Sequence, residues 1–389
     1  MKAMSSPNVF IGDLFLDSRL KPCGNDMSPR KFFFLLFCFF LSGCALIDRT
    51  QGNIRPNSSR PGHENQYRGV FHVHTVYSGD SKITLKDVTV AARKTGLDFV
   101  IVTDHDSIDA ARDYHRGPLP APPLMIFGVE NTTSDGHLIT LGPEETPPRG
   151  SSPETILEWV HGKGGVGILA HPVSKTPWKN PDTQNFDGLE VYNFAHSLLE
   201  TNRMALGGRL GALSRKRFLR NFQKRPDSLL DYWDRKLESG KVAGWGAADA
   251  HIRHKWLGWP FENELLQFES VTMVALTEKL QTTPILEALA KGKSFMAFES
   301  RGLAMGFSFT AQAKGKIYGS GETGLLNDRP VFLIKTPERA TIRLVRHGVM
   351  VFEYEGREAA YPVEHEGAYR VEAYRNGGLW ILSNPIYIE

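Results

Sequence analysis

Cysteine is scarce and confined to one end. Cys23, Cys38 and Cys44 are the three in a chain of 389 residues, and none lies beyond residue 44. The body of the chain therefore offers neither a disulfide nor a thiolate metal site, and any metal held there must rest on imidazole and carboxylate. An excess of one charge is equally absent. Lys and Arg number 46 against 43 Asp and Glu, for a net charge of +3. That balance describes a mixed, solvated surface rather than a basic footprint, so no nucleic-acid polymer is expected as a partner. Long apolar runs are missing too, because Phe32 to Leu41 gives only ten residues, too few to span a bilayer comfortably. No internal repeat or low-complexity tract occurs. What remains is an ordinary globular composition, 41% apolar and 23% charged, long enough for a sizeable core and two domains.

The short apolar run follows a basic start, Met27-Ser-Pro-Arg30-Lys31, and leads into Leu41-Ser42-Gly43-Cys44. This order suits a signal-peptide core. It resembles the lipobox of bacterial lipoproteins, which implies a lipidated Cys44 and export. The protein would then be lipid-anchored to the cell envelope, on a periplasm-facing membrane or the cell surface. An uncleaved signal anchor or a buried apolar segment is the competing reading. Residues 1–44 are thus an N-terminal extension and signal, with Met1 or Met27 as the start. Residues 45–66, mostly polar with Gly52, Pro56, Pro61 and Gly62, are expected to form a flexible tether.

From residue 67 apolar strands alternate with helical spacing. Residues 70–74, 99–102, 124–129, 166–170, 188–192 and 242–247 read as strands, and 85–95 and 153–161 as helices, the first stopped by Gly96 and the second capped by Ser152. The alternation predicts an α/β fold with a parallel sheet, closed as a barrel because ligand-type residues end nearly every strand. The barrel is assigned residues 67–302. A helical insertion at 197–240 is expected over its mouth, where Arg203, Arg209, Arg215 and Lys216 either attract an anionic substrate or form a solvated face. Residues 303–389 form a β-rich, sandwich-like C-terminal domain. Its strands lie at 330–335, 340–346, 349–354, 369–374 and 379–382, with turn signals at His347-Gly348, Glu355-Gly356 and Asn376-Gly377-Gly378.

The chemistry lies at the strand ends. His72-Val73-His74 places two imidazoles on one face of a strand, since side chains alternate with period two. Asp80 follows beyond a Ser78-Gly79 turn. Thr103-Asp104-His105-Asp106 comes directly after a buried strand. Glu130 ends the next, with His137 seven residues on. His171 ends another, and Asp249-Ala250-His251 repeats the i, i+2 pairing. Histidine with carboxylate at this density exceeds a single tetrahedral site and suits two or three divalent ions, Zn, Mn or Fe. Such a cluster activates water at neutral pH and stabilises in-line displacement at phosphorus, with a metal-bridging hydroxide as the attacking group.

Taken in order, these motifs resemble those of the PHP (polymerase and histidinol phosphatase) superfamily, from about residue 70 to 258. The resemblance implies a distorted seven-stranded α/β barrel of TIM-like form with phosphoesterase activity. It implies that His72, His74, Glu130 and Asp249 hold one metal. Glu130 would bridge to a second, held also by His137 and His171, and Asp80, His105 and His251 would hold a third. The aspartate at position 80, where some members have histidine, resembles the branch acting on small phosphorylated metabolites or nucleotides. The strands near Ala340 and Trp380 resemble the β-rich tail of exported PHP proteins.

Other residues carry open alternatives. Asp104 either orients His105 or caps the strand. Glu190 supports the ligands or touches substrate. Arg253 and His254 contact phosphate or lie on the surface. His63 and His115 are read as ordinary. Rival functions are amide or lactone hydrolysis, and a non-catalytic surface lipoprotein. The first would often use a bridging carbamylated lysine, yet no lysine ends a strand and Glu130 takes that position.

Overall fold

In the computed structural model the described residues are 66–116, 123–173, 177–180, 183–200, 214–252 and 263–389. The chain divides into two compact units, residues 1–53 and 54–389, and all described residues lie in the second. Cys44, the tether up to residue 65, Arg203, Arg209, Arg253 and His254 lie outside the described residues. Among the described residues no helix is long and apolar enough to cross a membrane.

The first half runs β1 (Gln66–Val73), α1 (Leu85–Thr95), β2 (Phe99–His105), α2 (Asp109–Arg116), β3 (Leu124–Thr132), β4 (His137–Leu141), α3 (Pro153–Gly162), β5 (Val166–Leu169) and β6 (Gly188–Asn193). Then come α4 (Phe194–Glu200), α5 (Arg215–Phe222), α6 (Asp227–Ser239), β7 (Ala243–Ala247), α7 (Glu264–Phe268), β8 (Thr272–Leu276), α8 (Thr282–Ala290) and β9 (Ser294–Ala297). Local chemistry sets the helix limits. Thr84 and Asp87 form a reciprocal capping box at the start of α1, and Gly96 ends it in the left-handed conformation. The Ser152 hydroxyl accepts from the Thr155 N–H at the start of α3.

The expected parallel sheet is a mixed one. β1, β2 and β3 are parallel, as are β5, β6 and β7, but β4 runs antiparallel to both β3 and β5. The reason is the short link between β3 and β4. The chain reverses within residues 133–136, leaving no room for the helical crossover that parallel neighbours need. Gly136 fits this turn because a side chain there would collide with Trp178, its Cβ only 2.4 Å from the indole ring.

β1 is the shared strand. One edge pairs with β2. On the other, Gln66 to Gly69 pair with β8, while three backbone hydrogen bonds tie residues 248–250 to Phe71, His72 and His74. Both faces of this central sheet are buried. Val70, Val100, Val102 and Val129 pack against Val88 and Ala92 of α1, and the other face buries Phe71, Ile101, Ile126, Ile168, Leu189 and Trp245. Two-sided burial explains why these strands read as unbroken apolar runs. α6 packs on β6, and its Trp233 covers Gly244 in β7.

The C-terminal strands are β10 (Ser308–Ala313), β11 (Lys316–Gly319), β12 (Thr323–Gly324), β13 (Val331–Arg346), β14 (Val349–Pro362), β15 (Gly367–Arg375), β16 (Gly378–Ser383) and β17 (Ile386–Ile388). Strands expected at 330–335 and 340–346 are one element, β13, whose pairing slips between Lys335 and Ala340. Glu355-Gly356 is not a turn; it lies inside β14 opposite Thr341 and Ala340. His347-Gly348 and Asn376-Gly377 are tight turns, each with both residues at positive φ. β16 pairs with β9, which joins this β-rich region to β8 and so to β1.

Candidate metal centre

The ligand-type residues gather where β1, β2, β3 and β7 end, and their centre is Glu130. Its buried carboxylate divides its neighbours between its two oxygens. Oε1 lies 2.8 Å from His137 Nδ1 and 3.1 Å from His171 Nε2. Oε2 lies 3.2 Å from each of His72 Nε2, His74 Nε2 and His105 Nδ1. Asp249 Oδ1 stands 3.6 and 3.5 Å from the Nε2 atoms of His72 and His74, and 3.2 Å from His251 Nδ1. Asp80, partly exposed, places Oδ2 2.9 Å from His251 Nε2 and 3.6 Å from His105 Nε2. All nine positions drawn from the motifs therefore meet in one place.

His72 and His74 do not converge through the regular pleat. Pairing with β2 shifts register between Phe71 and Val73, and His72 occupies the irregularity at φ 66°. Asp249 at 49° and His171 at 31° share this left-handed backbone, which costs energy for a residue with a Cβ. The bent backbone is what turns these side chains inward.

Several groups orient the imidazoles. Glu190 is fully buried, and its Oε1 accepts from His72 Nδ1 at 2.5 Å, which directs Nε2 at the centre. Glu190 Oε2 accepts from the His171 N–H at 2.8 Å and from Asn193 Nδ2 at 2.9 Å. Asn193 also donates to Asp249 Oδ2 at 3.1 Å. Ser78 Oγ lies 2.8 Å from His74 Nδ1 and accepts from the His105 N–H at 3.1 Å. Asp104 does not reach for His105. Its carboxylate accepts from the Thr75 N–H at 2.6 Å and the Thr75 hydroxyl at 2.7 Å, pinning the turn just after His74. The sequence marks Ser78 only as part of a turn and gives Asn193 no role. Asn193 sits three residues after Glu190, at the end of β6, which was the available signal. His115 faces Glu144 on the surface.

The electrostatics are those of a closely matched ion cluster. Burial alone would depress His72, but Glu130, Asp249 and Glu190 override it and hold its pKa well above the usual range. Burial opposes the charge of Glu130, yet His72, His137 and His171 keep its carboxyl well below the ordinary value. Asp249 is lowered likewise, by His72 and His251. His251 is pushed up to about 10 because Asp249 and Asp80 outweigh burial. His105 goes the other way, depressed by burial.

These residues fit divalent metal. The buried ring nitrogens His72 Nε2, His74 Nε2 and His105 Nδ1 make no hydrogen bond, although each faces Glu130 Oε2 at 3.2 Å. Donor atoms converging without mutual hydrogen bonding are what a cation requires. Overlapping sets that could hold an ion are His72, His74 and Asp249; His74, Asp80, His105 and His251; and His105, Glu130 and His137. A fourth set, His171, His196 and Asp249, includes a histidine on α4 that no sequence motif had marked.

A family model described as PHP domain matches residues 71–244. The uncharacterized protein MJ1587 of Methanocaldococcus jannaschii is 30% identical over 161 residues, 38% of this chain and 94% of that protein. Among solved structures, a two-domain protein of Bacteroides vulgatus containing a predicted PHP-like metal-dependent phosphoesterase aligns with a TM-score of 0.40 at 14% identity, covering 82% of this chain and 95% of that one. Endonuclease Q, in complex with a 27-mer duplex bearing an abasic lesion, aligns with a TM-score of 0.37 at 13% identity, covering 58% and 56%.

Proposed function

Because the chain belongs to the PHP family of metal-dependent hydrolases, we propose that it cleaves phosphate esters of small metabolites or nucleotides, using two or three Zn, Mn or Fe ions. The observation that carries this reading is the division of five imidazoles between the two oxygens of Glu130. A carboxylate so placed can bridge neighbouring ions, and nitrogen-rich sets without thiolate suit borderline divalent metals. When bound, such ions supply activated water and offset charge on the phosphoryl oxygens. The chain's own residues supply position. Glu190 and Ser78 direct His72 and His74, and Asp104 fixes the turn between His74 and Asp80. Beside His137 and His171 a cleft lined by Trp178 and Lys179 offers an apolar wall and a cation to an anionic ester. Within the same proposal, residues 248–250 close the sheet into a barrel against β1, and Cys44 anchors an exported protein to the envelope.

The test is metal analysis of the purified protein, followed by a phosphate-ester panel that includes nucleotides, beside amide and lactone panels. We expect at least one equivalent of divalent metal and turnover of phosphate esters that is abolished in His74→Ala and Glu130→Ala. Full activity after metal removal would defeat the proposal, as would turnover of amides or lactones alone.

A further inference from the structure

His196 sits on α4, just beyond the strand end that carries Glu190 and Asn193. It is partly buried, and its ring stacks on that of His171, with centroids 4.7 Å apart and planes inclined by 27°. One ligand-type atom each from His196, His171 and Asp249 lies within 4.8 Å of the others. The approach is fixed by the backbone. Asn193 Oδ1 accepts from the His196 N–H at 3.0 Å, while Asn193 Nδ2 donates to Glu190 Oε2 and Asp249 Oδ2. One buried amide thus sets both the start of α4 and the carboxylate that His196 approaches. The Ser197 hydroxyl adds a second tie by donating to the Asn193 carbonyl at 2.9 Å. By capping the start of α4, Asn193 sets the position of the His196 backbone relative to Asp249.

We propose that His196 is a further metal ligand, acting with His171 and Asp249, and that it biases that ion toward zinc or iron. The inference rests on the metal-centre reading above. Its chemistry is that of the added donor: a neutral imidazole favours borderline metals, whereas carboxylate and water suit magnesium and manganese. It also gives Asn193 a purpose, since the groups that orient ligands are part of a metal site.

The test uses the full chain, stripped and titrated with Zn²⁺ or Mn²⁺ against a competing chelator, for wild type, His196→Ala and His196→Gln. Co²⁺-loaded protein gives a visible spectrum as an independent readout. We expect one zinc-binding step to weaken by about tenfold or more in both variants, at least the loss that follows removal of a group that merely orients a ligand. Mn²⁺ affinity should fall less, the Co²⁺ spectrum should change, and the melting temperature of the metal-free protein should hold. If His196→Ala folds poorly, His196→Gln carries the test. Unchanged zinc affinity and an unchanged Co²⁺ spectrum would overturn the proposal. With a raised KM for a phosphate ester, that result makes His196 a substrate contact; with no kinetic change, it makes it a helix-surface residue. Wild-type protein that binds no zinc at all would instead defeat the metal-centre reading itself.

Discussion

Replacing Glu190 by Gln tests whether the centre depends on groups behind its ligands. The substitution changes little volume but removes a charge from a fully buried position. The native carboxylate accepts on both sides, from His72 Nδ1 through Oε1 and from the His171 N–H and Asn193 Nδ2 through Oε2. An amide cannot do both. If its oxygen stays with His171 and Asn193, its NH₂ faces His72 Nδ1. That ring must then carry its proton on Nε2, the atom aimed at Glu130 and Asp249, and can no longer ligate through it. If the amide is reversed, its NH₂ opposes two N–H donors. Either arrangement forfeits a charge-assisted hydrogen bond, worth about 1.5–3 kcal/mol. Loss of a supporting group behind a ligand typically lowers metal affinity about 10–100-fold, or about 1.4–2.8 kcal/mol. Chelator competition on the Glu190→Gln variant and the wild-type protein measures this directly, with metal-free melting curves as the folding control. Equal affinity in a folded Glu190→Gln protein would refute the reasoning.

Two further outcomes follow from the charge clusters. The raised imidazoles of His72 and His251 contribute stability that is fully present below about pH 6.5 and lost as pH climbs through the folded value, about 10 for His251. Metal-free protein should therefore melt lower at pH 10 than at pH 7, and metal should flatten the trend by taking the protons' place; parallel curves with and without chelator would contradict this. Far from the centre, buried Glu372 receives a bidentate pair of bonds from Arg225 at 2.8 and 2.9 Å, two further bonds from Arg370 at 3.2 and 3.1 Å, and one from the Tyr374 hydroxyl at 2.7 Å. These partners hold its carboxyl down to about 2 against the opposing effect of burial. Glu372→Ala leaves Arg370 with Asp234 and Arg225 with Asp227, but it removes the buried carboxylate both share and should cost about 1.5–3 kcal/mol in chemical denaturation without changing metal content; a cost near zero would show that the cluster is solvated.

Most of the clustered residues were legible because they sit beside strands that announce themselves, Asp80 and His137 excepted. His105 and Glu130 close apolar runs that could only be buried, and His171 follows another. What was not legible is geometry that depends on distant chain. Nothing in Val70-Phe71-His72 signals a positive φ, because the bend comes from pairing with β2 and with residues 248–250. The parallel expectation failed at β4, where five residues after a glycine turn are too few to stand out from a loop. For Asp104 the sequence leaves open a bond to its neighbour His105 or a cap on the strand, but in space its partner is Thr75, 29 positions away. His196 escaped notice because a histidine one turn into a short helix has no local pattern; the contact with His171 exists only once β5 and β6 lie side by side.

The pairing of β16 with β9 bears on how this protein could be cut. A fragment ending near residue 302 would keep all nine motif positions, so by composition it would look like a self-sufficient enzyme. It would also strip the partner from Phe295, Met296 and Ala297, which pair with Ser383, Leu382 and Ile381. Asn384, whose side chain bonds both the N–H and the carbonyl of Gly244, would go with it. The result is a bare, apolar strand edge two strands from β1, the kind of surface on which chains stack and aggregate. The clustered histidines and carboxylates belong to one half of the chain, but solubility is a property of both halves together.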